Sequence, residues 1–156
     1  MKIIALIPAR GGSKGIPKKN IKLFKKEPLI AHSIKLSEQC NLISDIIVTT
    51  DCEEIANISR KYNASIPFMR PAEISMDLSL DSEFIEHYIN WAIENNKLPD
   101  LIVQMRPTYP NRTLSHLNKM IDIMINNPEY TSLRTVIEMT KSPYKMYRNI
   151  DNILVP

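Results

Sequence analysis

The sequence predicts an α/β domain with a mostly parallel central sheet, on three observations. Short β-branched runs alternate with amphipathic helical segments along most of the chain, a pattern that builds parallel sheets through crossover connections. The run Asp45–Thr50 is apolar without alternation, as in a strand covered on both faces. All three glycines of the chain fall between positions 11 and 15, directly after the first apolar run, where folds of this class bind ligands.

In chain order, Lys2–Ile7 is the first strand, and a loop containing proline and glycine follows through Asn20. Leu29–Gln39 has helical spacing with Pro28 at its start. Asp45–Thr50 is the second strand. Asp51 precedes a helix reaching about Tyr62 and is read first as its cap, with Glu54 three residues on completing a capping-box pattern. Asn63 is the expected left-handed stop. Ala64–Phe68 reads as a short edge strand, because Pro67 lacks a ladder donor. Met69–Leu80 is a loop. Ser82–Asn95 is an amphipathic helix with Phe84, Ile85, Tyr88, Ile89, Ala92 and Ile93 inward. Leu101–Met105 reads as a buried strand and Arg106–Thr113 as a loop. Ser115 is taken as the cap of a helix to about Asn126, and Arg134–Met139 as a closing strand. From Thr140 the periodicity fades, and Asn152–Val155 again reads as a strand with no polar tail after it. The 156 residues fit one domain.

Composition narrows the function classes. No apolar run approaches the roughly 20 residues that span a bilayer, and the opening run ends at Arg10, so no membrane association or secretory leader is expected. Two cysteines, Cys40 and Cys52, lack metal-type spacing and are read as structural, in keeping with a reduced, cytoplasmic location. His32, His87 and His116 are scattered and are read as structural or surface residues. The net charge of +3 hides an asymmetry: residues 1–26 hold eight of the 20 basic residues and none of the 17 acidic ones, which leaves the remainder at −5. A local positive patch fits a compact anion, whereas nucleic acid calls for a longer basic stripe with interleaved aromatics, so no nucleic-acid partner is expected. Lys22, Lys25 and Lys26 are read as a solvated face.

The loop Pro8-Ala9-Arg10-Gly11-Gly12-Ser13-Lys14-Gly15-Ile16-Pro17-Lys18-Lys19-Asn20 carries the chemistry. Glycine allows positive φ or close approach of a ligand to the backbone, and the freed N–H groups can cradle phosphate oxygens. Arg10, Lys14 and Lys19 add charge-assisted hydrogen bonds of roughly 1.5–3 kcal/mol each. The plainer reading is a glycine-rich turn with incidental lysines. The loop contains neither Gly-x4-Gly-Lys-Ser/Thr nor a full Gly-x-Gly-x-x-Gly, which weakens kinase and dehydrogenase readings.

The string Ile7-Pro8-Ala9-Arg10-Gly11-Gly12-Ser13-Lys14, followed by Lys19-Asn20, resembles the N-terminal signature of CMP-sialic acid synthetases (acylneuraminate cytidylyltransferases). Ile47-Val48-Thr49-Thr50-Asp51 looks like the family's second strand. Arg70-Pro71-Ala72-Glu73-Ile74, with Asp77 after it, resembles the family's Arg-Pro-Ala-Glu loop, and Arg106-Pro107-Thr108-Tyr109-Pro110-Asn111-Arg112 is similar to its Pro-Thr-Ser-Pro-Leu-Arg loop. The resemblance implies a Rossmann-like nucleotidyltransferase domain of which residues 1–156 are the nucleotide-binding portion, C-terminally truncated, with metal-site and dimerisation segments beyond it.

The same resemblance implies roles. Arg10, Ser13, Lys14 and Lys19, with the Gly11 and Gly12 backbone, would hold the triphosphate of CTP, and Arg10, Lys14 and Lys19 would carry the catalytic charge neutralisation. Asn20 would contact the ribose. The Pro8 and Ala9 backbone, Arg70 and the stretch from Ser79 to Asp81 would frame the cytosine. Arg106 and Thr108 would face a sialic-acid-type nonulosonic acid, at a position where the family often has Gln in place of Arg106. The implied reaction is attack of the sugar's anomeric hydroxyl on the α-phosphorus with loss of pyrophosphate, supported by Mg²⁺ (or Mn²⁺). The family's Asp-x-Asp metal pair does not occur in the sequence, Asp51, Asp77 and Asp81 remain as carboxylates, and no metal ligand is assigned. A homodimer is implied for the full-length protein, and weak turnover or none for these residues alone. The alternatives are another sugar nucleotidyltransferase, or a CTP-binding module without turnover.

Overall fold

The computed structural model describes residues 1–136 and the backbone of residues 148–150 and 153–155. Strand β1 (Ile3–Pro8) is the centre of a three-stranded parallel sheet. The short strands β2 (Leu23–Phe24) and β3 (Glu27–Pro28) form a hairpin and lead into helix α1 (Leu29–Glu38). Strand β4 (Asp45–Thr49) pairs with one side of β1 and is followed by helix α2 (Glu53–Lys61) and, later, helix α3 (Asp81–Glu94). Strand β5 (Leu101–Gln104) pairs with the other side of β1 and leads to helix α4 (Leu114–Asn126). Strands β6 (Arg148–Ile150) and β7 (Ile153–Val155) form a separate antiparallel pair, of which the sequence expected β7.

The apolar run of β1 is explained by helices on both faces of the sheet. Its side chains alternate, as a strand requires. Ile3, Ala5 and Ile7 pack with Ile30 and Ile34 of α1, Ile55 of α2 and Leu117 and Ile121 of α4. Ile4 and Leu6 pack on the opposite face with Ile47 and with Phe84, Tyr88 and Ala92 of α3. The chain thus goes from β1 to β4 on one side and later crosses to β5 on the other, which puts a topological switch beside the carboxyl end of β1.

Several expectations are corrected. Asp51 does not cap α2: Cys52 occupies the cap position, no side chain caps the helix, and the Asp51 carboxylate is used elsewhere. Helix α4 is capped by Thr113, not Ser115, with Thr113 Oγ1 accepting from the His116 N–H at 3.3 Å. The 64–68 segment contributes one bridge, Ser65 to Ile47, and no strand, because Pro67 cannot continue the ladder. Strand β5 is half-buried, since it is the sheet edge among the described residues. Ile93 is 57% exposed, on the turn of α3 that points off the sheet. Residues 134–136 form no strand, and the rest of that expected element lies outside the described residues.

The sequence reading did not find the β2–β3 hairpin. Its two-residue turn, Lys25-Lys26, has both φ values positive (49° and 70°), the geometry of a type I′ turn that Asn-Gly normally signals. The lysines are exposed, in keeping with their reading as a solvated face. Asn63 does end α2 in the left-handed region, at φ 65°. Among the described residues no helix is long and apolar enough to cross a membrane.

Leu6 is fully buried in the central strand. Leu6→Ala is expected to lower unfolding free energy by about 2–5 kcal/mol in urea denaturation. Leu78→Ala, at a side chain 92% exposed, is expected to stay within about 0.5 kcal/mol.

Candidate nucleotide site

The loop leaving β1 is pinned at its start. The Ala9 N–H donates to the Thr49 carbonyl at 3.0 Å, and the Gly11 N–H donates to Asp51 Oδ1 at 2.8 Å. The Ser13 N–H turns back to the Gly11 carbonyl at 2.9 Å. These bonds correct the expectation of a wholly bare cradle: the Ala9, Gly11 and Ser13 amides are already satisfied, whereas those of Gly12 and Lys14 have no protein partner among the described residues. None of the glycines has positive φ. Gly11 is required for a different reason, since a Cβ there would stand 2.9 Å from Cys52 Cβ. Gly12 and Gly15 face open space. Lys18 takes the left-handed backbone at φ 52° that opens the turn Lys19–Ile21.

A cleft of about 250 Å³ opens beside this loop at the carboxyl ends of β1, β4 and β5. Pro8, Arg10, Ser13, Lys19 and Asn20 line it from the first loop, and Arg70, Ser79 and Asp81 from the loop before α3. Arg106 and Thr108 line it from the loop after β5. Three loops far apart in sequence are therefore brought to one cavity. Ala9, Gly11, Gly12 and Lys14 do not line it directly. Ala9 is buried beneath it, and Lys14 reaches its edge through an ion pair with Asp77, which does line it. A larger shallow groove, about 690 Å³, runs along α4 from Leu114 to Asn127, away from the basic loop.

The polar wiring of the cleft is specific. Arg10 Nη2 pairs with Asp77 Oδ1 at 2.8 Å and Nη1 donates to the Met76 carbonyl at 2.5 Å. Lys14 and Arg10 together hold the Asp77 carboxyl below the usual carboxylate range, the Lys14 hydrogen bond being the largest influence. Asn20 Nδ2 donates to the Arg10 carbonyl at 2.9 Å, so this buried amide braces the loop from within. Ser79 Oγ accepts the Met76 N–H at 2.9 Å and shapes the second loop.

Arg70 is nearly buried, and its Nη2 donates to the Thr49 carbonyl at 3.0 Å while its guanidinium lies 5.5 Å from the Phe84 ring. It caps the end of β4 and lines the cleft at once. Burial lowers its pKa, and its buried Nε has no hydrogen-bond partner among the described residues. Asp81, at the first turn of α3, accepts from Gln104 Nε2 at 3.0 Å and pairs with Arg106. Burial works against the Asp81 charge, but the Gln104 and Arg106 hydrogen bonds and the Arg106 charge outweigh it and lower the pKa. Arg112 Nη1 clamps the same loop through the Arg106 carbonyl at 2.8 Å and the Tyr109 carbonyl at 3.1 Å.

Sequence reasoning missed three residues of this site. Asp51 is the anchor of the first loop, a role its cap-like spacing concealed. Phe84 belongs to the cleft wall as well as the core, which its place in an apolar helix stripe gave no reason to expect. Gln104, the last residue of β5, carried a usable signal as the one polar side chain in that strand.

Comparison with known proteins agrees with this geometry. The profile of the family described as Cytidylyltransferase matches residues 4–154. The N-acylneuraminate cytidylyltransferase of Escherichia coli is 31% identical over 151 residues, covering 97% of this chain and 35% of that protein. The CMP-N,N'-diacetyllegionaminic acid synthase of Legionella pneumophila is 33% identical over 126 residues, covering 79% of this chain and 53% of its own length. The chain therefore spans about a third to half of these relatives. A solved CMP:2-keto-3-deoxy-manno-octonic acid synthetase complexed with CTP superposes with a TM-score of 0.68 at 18% identity, over 83% of this chain and 49% of that one, which supports the Rossmann-like fold.

Two substitutions separate packing from ligand approach in the first loop. Gly11→Ala is expected to cost about 1–3 kcal/mol of stability, read by thermal or urea unfolding, because its Cβ overlaps Cys52. Gly12→Ala, in open space, is expected to leave stability within about 0.5 kcal/mol. With the family profile covering nearly the whole chain and the basic loop, Arg70 and Arg106 converging on one cleft, this chain belongs to the cytidylyltransferase family.

Proposed function

We propose that the chain is the nucleotide-binding part of an enzyme that transfers CMP from CTP to the anomeric hydroxyl of a sialic-acid-type nonulosonic acid, releasing pyrophosphate. The observation that carries this reading is the convergence of Arg10, Ser13 and Lys19 with Arg70 and Arg106 on a single cleft at the topological switch. In the transfer, the sugar's anomeric oxygen forms a bond to the α-phosphorus as the bond to the β-phosphate oxygen breaks. Such a step depends on holding the two reactants in line and on neutralising phosphate charge.

The chain's residues divide that work. Arg10, Ser13, Lys14 and Lys19, with the unpaired Gly12 and Lys14 amides, hold the phosphates. Arg70 and the Ser79–Asp81 wall take the base. One N–H of the Asn20 amide is engaged by the Arg10 carbonyl, which leaves its side-chain oxygen and second N–H for a ribose contact. Arg106 and Thr108 face the sugar acid. Because one side of Arg106 is held by Asp81, the guanidinium offers its remaining donors in a set direction. The relatives are named for two different sugar acids, which supports a substrate within that class.

A Mg²⁺ (or Mn²⁺) ion would call for a cluster of oxygen ligands at the cleft. Among the described residues no group of three His, Cys, Asp or Glu side chains is placed to hold a metal, and the cleft carboxylates Asp77 and Asp81 are both in ion pairs. These residues do not fit a resident metal site, and the roles above rest on protein groups alone. A homodimeric full-length protein, a cytoplasmic setting and a place in polysaccharide biosynthesis complete the proposal.

Calorimetric titration tests it. CTP is expected to bind in preference to UTP and GTP, and Lys14→Ala to weaken CTP by about tenfold through loss of one charge-assisted contact. Preference for another nucleotide, or an unchanged affinity in Lys14→Ala, would overturn the assignment.

A further inference from the structure

Two of the three cations assigned to the phosphates are not free in this structure. Arg10 and Lys14 converge on opposite oxygens of one carboxylate, Asp77, which is the cleft residue best placed to hold both. The arrangement has the form of an anion in a cradle: Arg10 contacts Oδ1 and Lys14 contacts Oδ2, while Arg10 also donates to the neighbouring Met76 carbonyl. Asp77 lies on the second loop, 63 residues beyond Lys14, so the contact draws the two loop rims together across the cleft mouth.

The remaining charges do not compensate these cations in another way. Asp51, the next acidic residue toward the loop, is engaged with the Gly11 amide, and Asp81 with Gln104 and Arg106. Lys19 lines the same cleft without an ion-pair partner among the described residues. The pair is also easily broken. The Lys14 side chain is 83% exposed and that of Asp77 35% exposed, and exposed pairs are worth little individually. A polyphosphate carrying several charges competes well against one carboxylate at such a site.

We propose that Asp77 is a built-in counter-anion of the phosphate cradle: it holds Arg10 and Lys14 in place while the cleft is empty, and an incoming polyphosphate displaces it. The inference rests on the proposed nucleotide site, but it concerns what the cradle holds before the ligand arrives. Asp77 is thereby an affinity-setting residue. Its displacement is a fixed cost that every ligand using Arg10 and Lys14 meets, and a ligand without phosphates avoids. The same displacement frees the second-loop rim from Arg10, so occupation of the phosphate site and opening of the cleft mouth are coupled.

The test is calorimetric titration of the wild-type chain, Asp77→Asn and Asp77→Ala with three probes: inorganic tripolyphosphate, CTP and cytidine. Both variants are expected to bind tripolyphosphate and CTP about two- to fivefold more tightly than wild type, with cytidine affinity unchanged. Raising the salt from 0.05 to about 0.5 M is expected to shrink that gain, because the competing pair is itself screened. Unchanged or weaker tripolyphosphate binding in both variants would overturn the proposal, as would an equal gain for cytidine. If tripolyphosphate binding tightens while CTP is not preferred over other nucleotides, the counter-anion stands and the cytidylyl reading fails. Because Asp77 sits on a surface loop, circular dichroism and unfolding midpoints of both variants are expected to match wild type, which keeps the affinity comparison interpretable.

Discussion

The hydrogen bond from the Gly11 amide to the Asp51 carboxylate is the contact on which the site depends. It joins the loop leaving β1 to the loop leaving β4 at adjacent strand ends, and it is possible only because position 11 lacks a Cβ that would strike Cys52. With that point held, the Ala9 amide bonded to Thr49 and the Asn20 amide bonded to the Arg10 carbonyl leave the first loop little choice of path. Arg10 then points across the cleft mouth, and the rest of the cradle follows from its direction. A backbone contact of this kind is a cheaper way to orient a charged side chain than packing the side chain itself, which must stay free to meet a ligand.

Charge is distributed unevenly across the cleft for a physical reason. Arg70 is buried and is tolerated because Thr49's carbonyl and the face of Phe84 take up part of its donor capacity, yet its Nε has no partner among the described residues. Buried unpaired donors are rare in proteins, and local violations of this kind gather at functional sites. Arg10, Lys14 and Arg106 are nearer the solvent and are each matched by an aspartate. The deep cation is thus incompletely satisfied and the rim cations are provisionally satisfied. That gradient favours an anion that enters by exchanging partners at the rim.

Much of the fold could be read from periodicity, because the strong signals were also the local ones. The run Ile3 to Ile7 is apolar throughout, since both faces of β1 are covered, and α1, α2, α3 and α4 each show an apolar stripe that the packing bears out. The errors fell where local rules were in competition. Asp51 and Glu54 fit a capping box by spacing, but the carboxylate had a better donor in Gly11 across the loop. Thr113 and Ser115 are both plausible caps, and the helix begins two residues earlier than the second allows. The Lys25-Lys26 turn carried no glycine or asparagine to reveal it, and its positive φ values are imposed by the hairpin it closes. Of the candidate site residues, Pro8, Arg10, Ser13, Lys19, Asn20, Arg70, Ser79, Asp81, Arg106 and Thr108 line one cleft.

The chemistry of the protein was present in the order of its residues. A glycine-rich loop with three cations after the first strand, and two arginine-bearing loops at the ends of later ones, is information carried by short contiguous segments. Which of these groups are free was decided by contacts between segments 40 to 66 residues apart, such as Gly11 with Asp51 and Arg10 with Met76. Hydrogen-bond partners are chosen by proximity in the folded chain. The sequence therefore named the donors and acceptors of this cleft, and the fold determined that the Gly11 amide is spent on Asp51, that the Gly12 amide has no partner among the described residues, and that Arg10 and Lys14 meet on Asp77.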